Sequence, residues 1–235
     1  MIQGRISSIE TLGLMDGPGI RFVAFFQGCK LRCKYCHNPE TWDMKGSSQI
    51  ISSDELIAKV LKYKNYYGEE GGVTFSGGEP LLQPEFLLDC LKLCKEKGVH
   101  TCLDTAGVGF GDYVEILKYT DLVILDVKAV DETEYRELTG QDMRFFREFL
   151  ASVKKSGNRI WLRQVIVPNI NDDEEHILKL KSFADSVPNV EKIELLPYRT
   201  IGVHKYKKLK LPYRLQGVPD MDETRVAELQ KLLKK

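Results

Sequence analysis

Net charge is the first thing this 235-residue chain lacks: 34 lysines and arginines balance 34 aspartates and glutamates. No global field is available to recruit nucleic acid or an acidic membrane. An apolar run of about 18 residues, the length that spans a bilayer, is also missing, and mean hydropathy is −0.26. The opening Met1-Ile2-Gln3-Gly4-Arg5 has no apolar signal-peptide core, so a cytoplasmic location is expected. There is no repeat at solenoid period, no low-complexity tract and no long linker. Residues 1–235 therefore read as a single domain with a core over about 15–200 and a terminal helix over about 221–235. The most informative absence is a fourth clustered cysteine. Cys29, Cys33 and Cys36 fall within eight residues as C-x3-C-x2-C, and the next cysteine is Cys90.

Six cysteines with three clustered argue against a disulfide framework and for metal or redox use. A structural zinc site or a fully ligated iron–sulfur cluster wants four protein ligands. Three thiolates on a [4Fe–4S] cluster leave one iron open, and an open metal position is where chemistry happens. His37, directly after Cys36, offers a Cys3His zinc site as the alternative, although adjacent ligands are awkward. Three unrelated buried thiols are the remaining reading.

Strand-like and helix-like stretches alternate along the chain, which argues an α/β fold with a parallel sheet. Strands are expected at Ile20–Phe26, Gly72–Phe75, Val99–Leu103, Asp121–Val127, Arg159–Val167 and Val190–Leu196. Leu122-Val123-Ile124-Leu125 is apolar throughout, as in a strand buried on both faces. Ser52 and Glu55 have capping-box spacing ahead of a helical face at Leu56, Ile57, Val60 and Leu61. Pro84 starts a helix that Gly98 stops. Helices are further expected around Asp112–Tyr119, over Arg144–Lys155 up to Gly157, from Asp172 to about Ser186, and over Met221–Lys235. Six alternations are too few for a closed eightfold barrel.

The cysteine stretch, with an aromatic before its last cysteine, resembles the radical S-adenosylmethionine enzymes. Three flanking runs narrow the likeness: Asp16-Gly17-Pro18-Gly19-Ile20-Arg21, Phe25-Phe26-Gln27-Gly28-Cys29 and Tyr35-Cys36-His37-Asn38. Together they resemble the activators of glycyl radical enzymes, and the likeness extends from about Gly4 to about Gly217. It implies a partial (β/α)6 barrel open on one side, with chemistry at the C-terminal strand ends. The candidate residues do follow expected strands: the cysteine loop, Ser76-Gly77-Gly78-Glu79, Asp104-Thr105, and Asp126 with Lys128. No cysteine-rich insert lies between Cys36 and Ile51, which favours the short type of activator.

The resemblance implies a [4Fe–4S] cluster on Cys29, Cys33 and Cys36, with S-adenosylmethionine chelated at the open iron. It assigns the cosubstrate to Tyr35, Cys36, His37, Gly78, Asp126, Val127, Lys128 and His204. It puts a monovalent cation at Asp104, Thr105 and the Ile124 carbonyl, and the protein substrate at Asp16 and Arg163. Plainer readings exist for each. Gly77-Gly78 can be an ordinary turn, Asp104-Thr105 a cap, and Asp126–Lys128 a mutual salt bridge on one strand face. His204 can be a surface-loop residue, and Cys90, Cys94 and Cys102 buried free thiols. The implied partner is a glycyl radical enzyme, with pyruvate formate-lyase expected. Flavodoxin or ferredoxin is the expected electron donor, and a monomer the expected state. Lys205–Lys210 reads as a solvated basic loop or as a dock for that donor. The rival functions are an activator of another glycyl radical enzyme, a radical reaction on a small molecule or RNA base, and a non-catalytic metal-binding module.

Overall fold

The computed structural model describes residues 2–46 and 48–233; the last two residues of the expected terminal helix lie outside them. In chain order the elements are β1 Gln3–Gly13, β2 Arg21–Phe26, β3 Gln49–Ser52, α1 Ser53–Leu61, β4 Gly72–Gly77, α2 Pro84–Glu96, β5 His100–Thr105 and α3 Tyr113–Lys118. They continue with β6 Leu122–Asp126, α4 Glu132–Thr139, α5 Arg144–Ser156, β7 Arg159–Ile166, α6 Glu174–Asp185, β8 Val190–Pro197, α7 Val203–Leu209 and α8 Glu223–Leu232. No helix among the described residues is long and apolar enough to cross a membrane.

One eight-stranded sheet runs in the order β3-β1-β2-β4-β5-β6-β7-β8. The six strands from β2 to β8 are parallel neighbours, and these are the six expected from sequence. β8 and β3 are opposite edges, so the sheet is not closed into a barrel. β1 and β3 are additions at one edge: β1 runs antiparallel to β2, and β3 antiparallel to β1.

Strand side chains alternate between two apolar layers, as the period of two requires. Phe22, Ala24, Phe26, Leu103, Val123, Leu125, Ile160 and Leu162 join the large core under the helices. Cys102, Leu122 and Ile124, backed by Trp161, form a small separate cluster on the other face. That second cluster is the floor beneath the strand ends.

Local signals set the helix limits. Ser52 and Glu55 form the expected capping box. Pro84 opens α2, and Gly98 follows it with φ +61°. Gly157 ends α5 in the left-handed region that glycine tolerates best. Asp112 and Asp173 cap α3 and α6.

Candidate active site

The parallel strands deliver their C-terminal ends to one rim, and the longest loop there follows β2. It is closed before any ligand is considered. Gln27 is buried and donates through Nε2 to the carbonyls of Glu40 (2.9 Å) and Asp43 (2.6 Å). Gly28 has φ +102°, and its N–H reaches the Thr41 carbonyl at 2.8 Å. Arg32 and Lys34 donate backbone N–H groups to Thr139 and Leu138 at the end of α4. From the other side, Tyr206 of α7 donates its hydroxyl to the Cys36 carbonyl at 3.0 Å, and its ring meets Trp42 edge-on. Lys205 binds Asn38 and Glu40. The segment read as a basic loop is therefore a helix that clamps the cysteine loop.

Cys29, Cys33 and Cys36 all line one cavity of about 370 Å3. Burial pushes all three thiols up, Cys33 to about 11; neighbouring thiols add to the effect at Cys29 and Cys33, while hydrogen bonds from Asn38 and Trp42 oppose it at Cys36. Such thiols become ligands when a cationic metal takes the place of their protons. Among the described residues, no three His, Cys, Asp or Glu side chains are gathered to hold a single metal ion. A mononuclear zinc site needs four donors on one ion. His37 Nε2 meets the Arg199 carbonyl at 2.8 Å and must carry the proton there, which leaves Nδ1 as the acceptor of the ring. Three thiols round a shared cavity instead fit a multi-iron cluster with one iron free of protein.

The facing wall comes from the other strands. Ser76 and Gly77 end β4 and Gly78 follows, all three lining the cavity, and Gly77 has φ +112°. A Cβ on Gly78 would stand 2.3 Å from the Gly28 carbonyl oxygen and 3.3 Å from the Cys29 Cβ. Glycine is required because the two loops touch through backbone. Glu79 turns away from the cavity. Its carboxylate accepts from Thr105 Oγ1 (2.5 Å), Ala106 N (2.9 Å) and Leu81 N (3.1 Å). Burial still pushes it up to about 7 against those hydrogen bonds.

Asp104, Thr105, Asp126 and Lys128 line the same cavity. Asp104 accepts from Ser76 Oγ at 2.7 Å. Burial, then the charge of Asp126, pushes Asp104 up to about 6, with Arg163 opposing. Lys128 pairs with Asp126 at 2.7 Å, so the mutual salt bridge is real and sits on the cavity wall. Burial works against the Lys128 charge, but Asp126, Tyr35 and Cys33 together hold its affinity for a proton well above the ordinary lysine value. Tyr35 lines the cavity too, and its buried hydroxyl has no hydrogen-bond partner among the described residues. An unsatisfied buried hydroxyl costs about 1–3 kcal/mol.

Five of the sequence candidates, Val127, Ile124, His204, Arg163 and Asp16, do not line this cavity. Val127, the residue after β6, is fully buried and donates its N–H to the Arg163 carbonyl at 2.8 Å. Ile124 is fully buried and stands opposite Asp104 in the β5–β6 ladder. His204 is exposed on α7, with Nδ1 2.8 Å from the Ile201 carbonyl. Arg163 donates to Glu194 (2.8 Å) and to the Met15 carbonyl (2.5 Å). The last bond ties it to the loop carrying Asp16, whose carboxyl burial pushes up and Arg163 pulls down. Cys90, Cys94 and Cys102 are buried free thiols. Sequence reasoning missed the Trp42, Thr41 and Leu31 walls and the Val165, Leu196 and Pro197 side. These are ordinary residue types with no local spacing to mark them.

The Radical SAM superfamily profile matches residues 23–180. A protein from Clostridium pasteurianum named pyruvate formate-lyase-activating enzyme is 55% identical over 235 residues, covering 100% of this chain and 98% of that one. One of the same name from Staphylococcus epidermidis is 43% identical over 236 residues, covering 97% and 94%. Among solved structures, a domain of pyruvate-formate lyase-activating enzyme from Bacteroides vulgatus aligns at 27% identity with a TM-score of 0.56, covering 69% of this chain and 92% of that one. Streptococcus suis SuiB aligns at 16% identity with a TM-score of 0.64, covering 87% of this chain and 43% of that one, and shares the fold.

Proposed function

We propose how this cavity works from one premise: the chain belongs to the radical S-adenosylmethionine superfamily and, within it, to the family of pyruvate formate-lyase-activating enzymes. Its cofactors are a [4Fe–4S] cluster and S-adenosylmethionine, and its activity is the activation of a glycyl radical enzyme. When bound, they supply one-electron cleavage of a carbon–sulfur bond, giving methionine and a 5′-deoxyadenosyl radical that takes a hydrogen atom from a glycine Cα.

The chain's own residues hold and exclude. Cys29, Cys33 and Cys36 hold the cluster. Gly77 and Gly78 leave backbone room for the methionine amino group. Asp126 and Lys128 face the ribose and the methionine carboxylate, and their mutual pairing keeps both charges buried at low cost until the cosubstrate arrives. Tyr35 and His37 run along the nucleoside; Val127 and His204, which do not line the cavity, join them on the resemblance alone. Asp104 and Thr105, with the Ile124 carbonyl, take a monovalent cation. Thr105 Oγ1 donates to Glu79 and accepts from Gly107 N, which leaves one lone pair for it. Leu31, Trp42, Val165 and Leu196 keep water out of the cavity.

The protein substrate is pyruvate formate-lyase, whose glycine-bearing loop enters on the open side, past Asp16 and Arg163. Flavodoxin or ferredoxin supplies the electron. The observation that carries the assignment is the convergence of three thiols, a glycine pair and the Asp126–Lys128 pair on one cavity. The test is anaerobic. Reconstituted, reduced protein should release 5′-deoxyadenosine and methionine from S-adenosylmethionine, and should raise a glycyl radical signal in pyruvate formate-lyase. Cys33→Ala should lose cluster and cleavage together; cleavage retained in that variant refutes the assignment.

A further inference from the structure

Behind the cysteine loop lies a second concavity, of about 480 Å3, lined by Cys29, Lys30, Arg32, Trp42, Met44, Leu82, Phe110, Gln141 and Phe145. Cys29 and Trp42 line both this concavity and the active cavity, so together they are the wall between the two. The outer side is unusual for solvent-facing surface. Phe110 is 45% exposed and Met44 39% exposed, while Phe145 packs edge-on to Phe110.

Cations rest on these rings. Lys30 Nζ is 3.9 Å from the Phe110 centroid and 4.9 Å from that of Phe145. Arg144 lies 4.7 Å over Phe145, and Arg32 lies 4.9 Å over Trp42. None of the three forms an ion pair with a carboxylate among the described residues. The carboxylates close by, Asp142 and Asp43, are turned to the backbone N–H groups of Arg144 and Lys45. By contrast, Lys205, in the basic run of α7, is already paired with Glu40.

We propose that this concavity is where the electron enters: it docks an acidic flavoprotein that presents the apolar edge of its flavin to Phe110, Phe145 and Trp42, ringed by carboxylates that meet Lys30, Arg32 and Arg144. The proposal rests on the activator reading above. Unpaired cations round an exposed aromatic recess complement an acidic rim round a flat apolar edge. Docking here brings the flavin against the outer side of Cys29, a cluster ligand. It also leaves the active cavity free, so donor and substrate protein can be bound at once. One electron leaves the flavin hydroquinone, which becomes the semiquinone, and reduces the cluster by one. No bond to this chain forms or breaks, and any proton lost by the flavin goes to solvent.

The experiment compares two reductants on the reconstituted enzyme. With reduced flavodoxin as probe at low salt, Lys30→Gln/Arg144→Gln should slow S-adenosylmethionine cleavage at least about tenfold, the scale of lost electrostatic steering. With dithionite, which needs no dock, its rate should stay within about twofold of the parent. The parent's flavodoxin-driven rate should fall as salt rises, and the variant's should fall less. Lys207→Gln/Lys208→Gln on α7 should change neither rate. An unchanged flavodoxin-driven rate in the first variant, or a loss carried by the α7 variant instead, overturns the proposal. If the loss appears with a ferredoxin donor and not with flavodoxin, the flavin partner is wrong. Should Lys30→Gln disturb the cysteine loop, both rates fall; Arg144→Glu alone then decides, since a flavodoxin-specific loss upholds the dock and its absence overturns it. Failure of the parent to cleave S-adenosylmethionine with dithionite sinks the activator reading itself and is seen separately.

Discussion

The hydroxyl of Thr105 donates to the carboxylate of Glu79 at 2.5 Å, joining the loop after β5 to the loop after β4. Glu79 also collects the N–H groups of Leu81 and Ala106, so a single buried carboxylate fixes two walls of the active cavity. Every group facing it is a donor. Glu79→Gln puts an amide NH2 against one of them, and a buried donor left without an acceptor costs about 1–3 kcal/mol. Thermal unfolding of Glu79→Gln should show a loss of that size, with Thr105→Val about 1 kcal/mol. S-adenosylmethionine binding should weaken in both. A Glu79→Gln protein as stable as the parent would show that the carboxylate fixes nothing.

Lys128 and Asp126 make the second prediction. Their contact at 2.7 Å buries a cation whose side chain is 11% exposed beside a carboxylate 28% exposed. Removing the lysine leaves Asp126 facing Asp104 with one compensating charge fewer. Breaking a fully buried pair costs about 3–5 kcal/mol; Asp126 keeps some contact with water, so about 2 kcal/mol is expected for Lys128→Met. Cosubstrate affinity should fall by about a hundredfold if the lysine also meets the methionine carboxylate, a charge-assisted contact worth roughly 2–3 kcal/mol. Lys128→Arg should recover part of both. Calorimetric titration with S-adenosylmethionine separates the two effects from a urea-unfolding series.

What could be read from sequence follows from how far each signal reaches. β2 and β6 were legible because strands buried on both faces are short, continuous apolar runs between turn residues, whereas β8, an edge strand, buries only Leu195. β1 and β3 were not legible. β1 reads Gln-Gly-Arg-Ile-Ser-Ser-Ile-Glu-Thr-Leu-Gly, and of these only Gly4, Ile6 and Gly13 are buried, so its pairing with β2 rather than its composition makes it a strand. α4 is eight residues long and strongly polar, and α7 buries only Tyr206. The cysteines and the glycine pair were legible because their chemistry demands those residue types at close spacing. Trp42, Thr41 and Leu196 reach the cavity only through the path of the chain. The link between Arg163 and the Met15 carbonyl spans 148 residues, a distance no local pattern carries.

The opposite end of the sheet yields a pH prediction. Asp121, at the start of β6, accepts from Thr101 N (2.9 Å) and Thr101 Oγ1 (3.1 Å) at the start of β5. Burial raises its proton affinity, but these hydrogen bonds, with His100 and Lys95, outweigh it and hold the carboxyl below the ordinary aspartate value. A carboxyl depressed in the folded state binds its proton more readily in the unfolded chain. Its contribution is therefore fully present above the unfolded value of about 3.9 and is lost as pH falls through the lower, folded value. Asp121→Asn should lower stability at pH 7 by about 1 kcal/mol, since the side chain is 30% exposed and screening reduces the Lys95 contribution. Below about pH 4 the gap between parent and variant should narrow. Urea unfolding at pH 7, 5 and about 3.5 measures that convergence. Parallel curves across the range would mean that Asp121 binds its proton equally well folded and unfolded, and that the β5–β6 junction draws its strength from the Thr101 hydroxyl contact with the Tyr119 carbonyl instead.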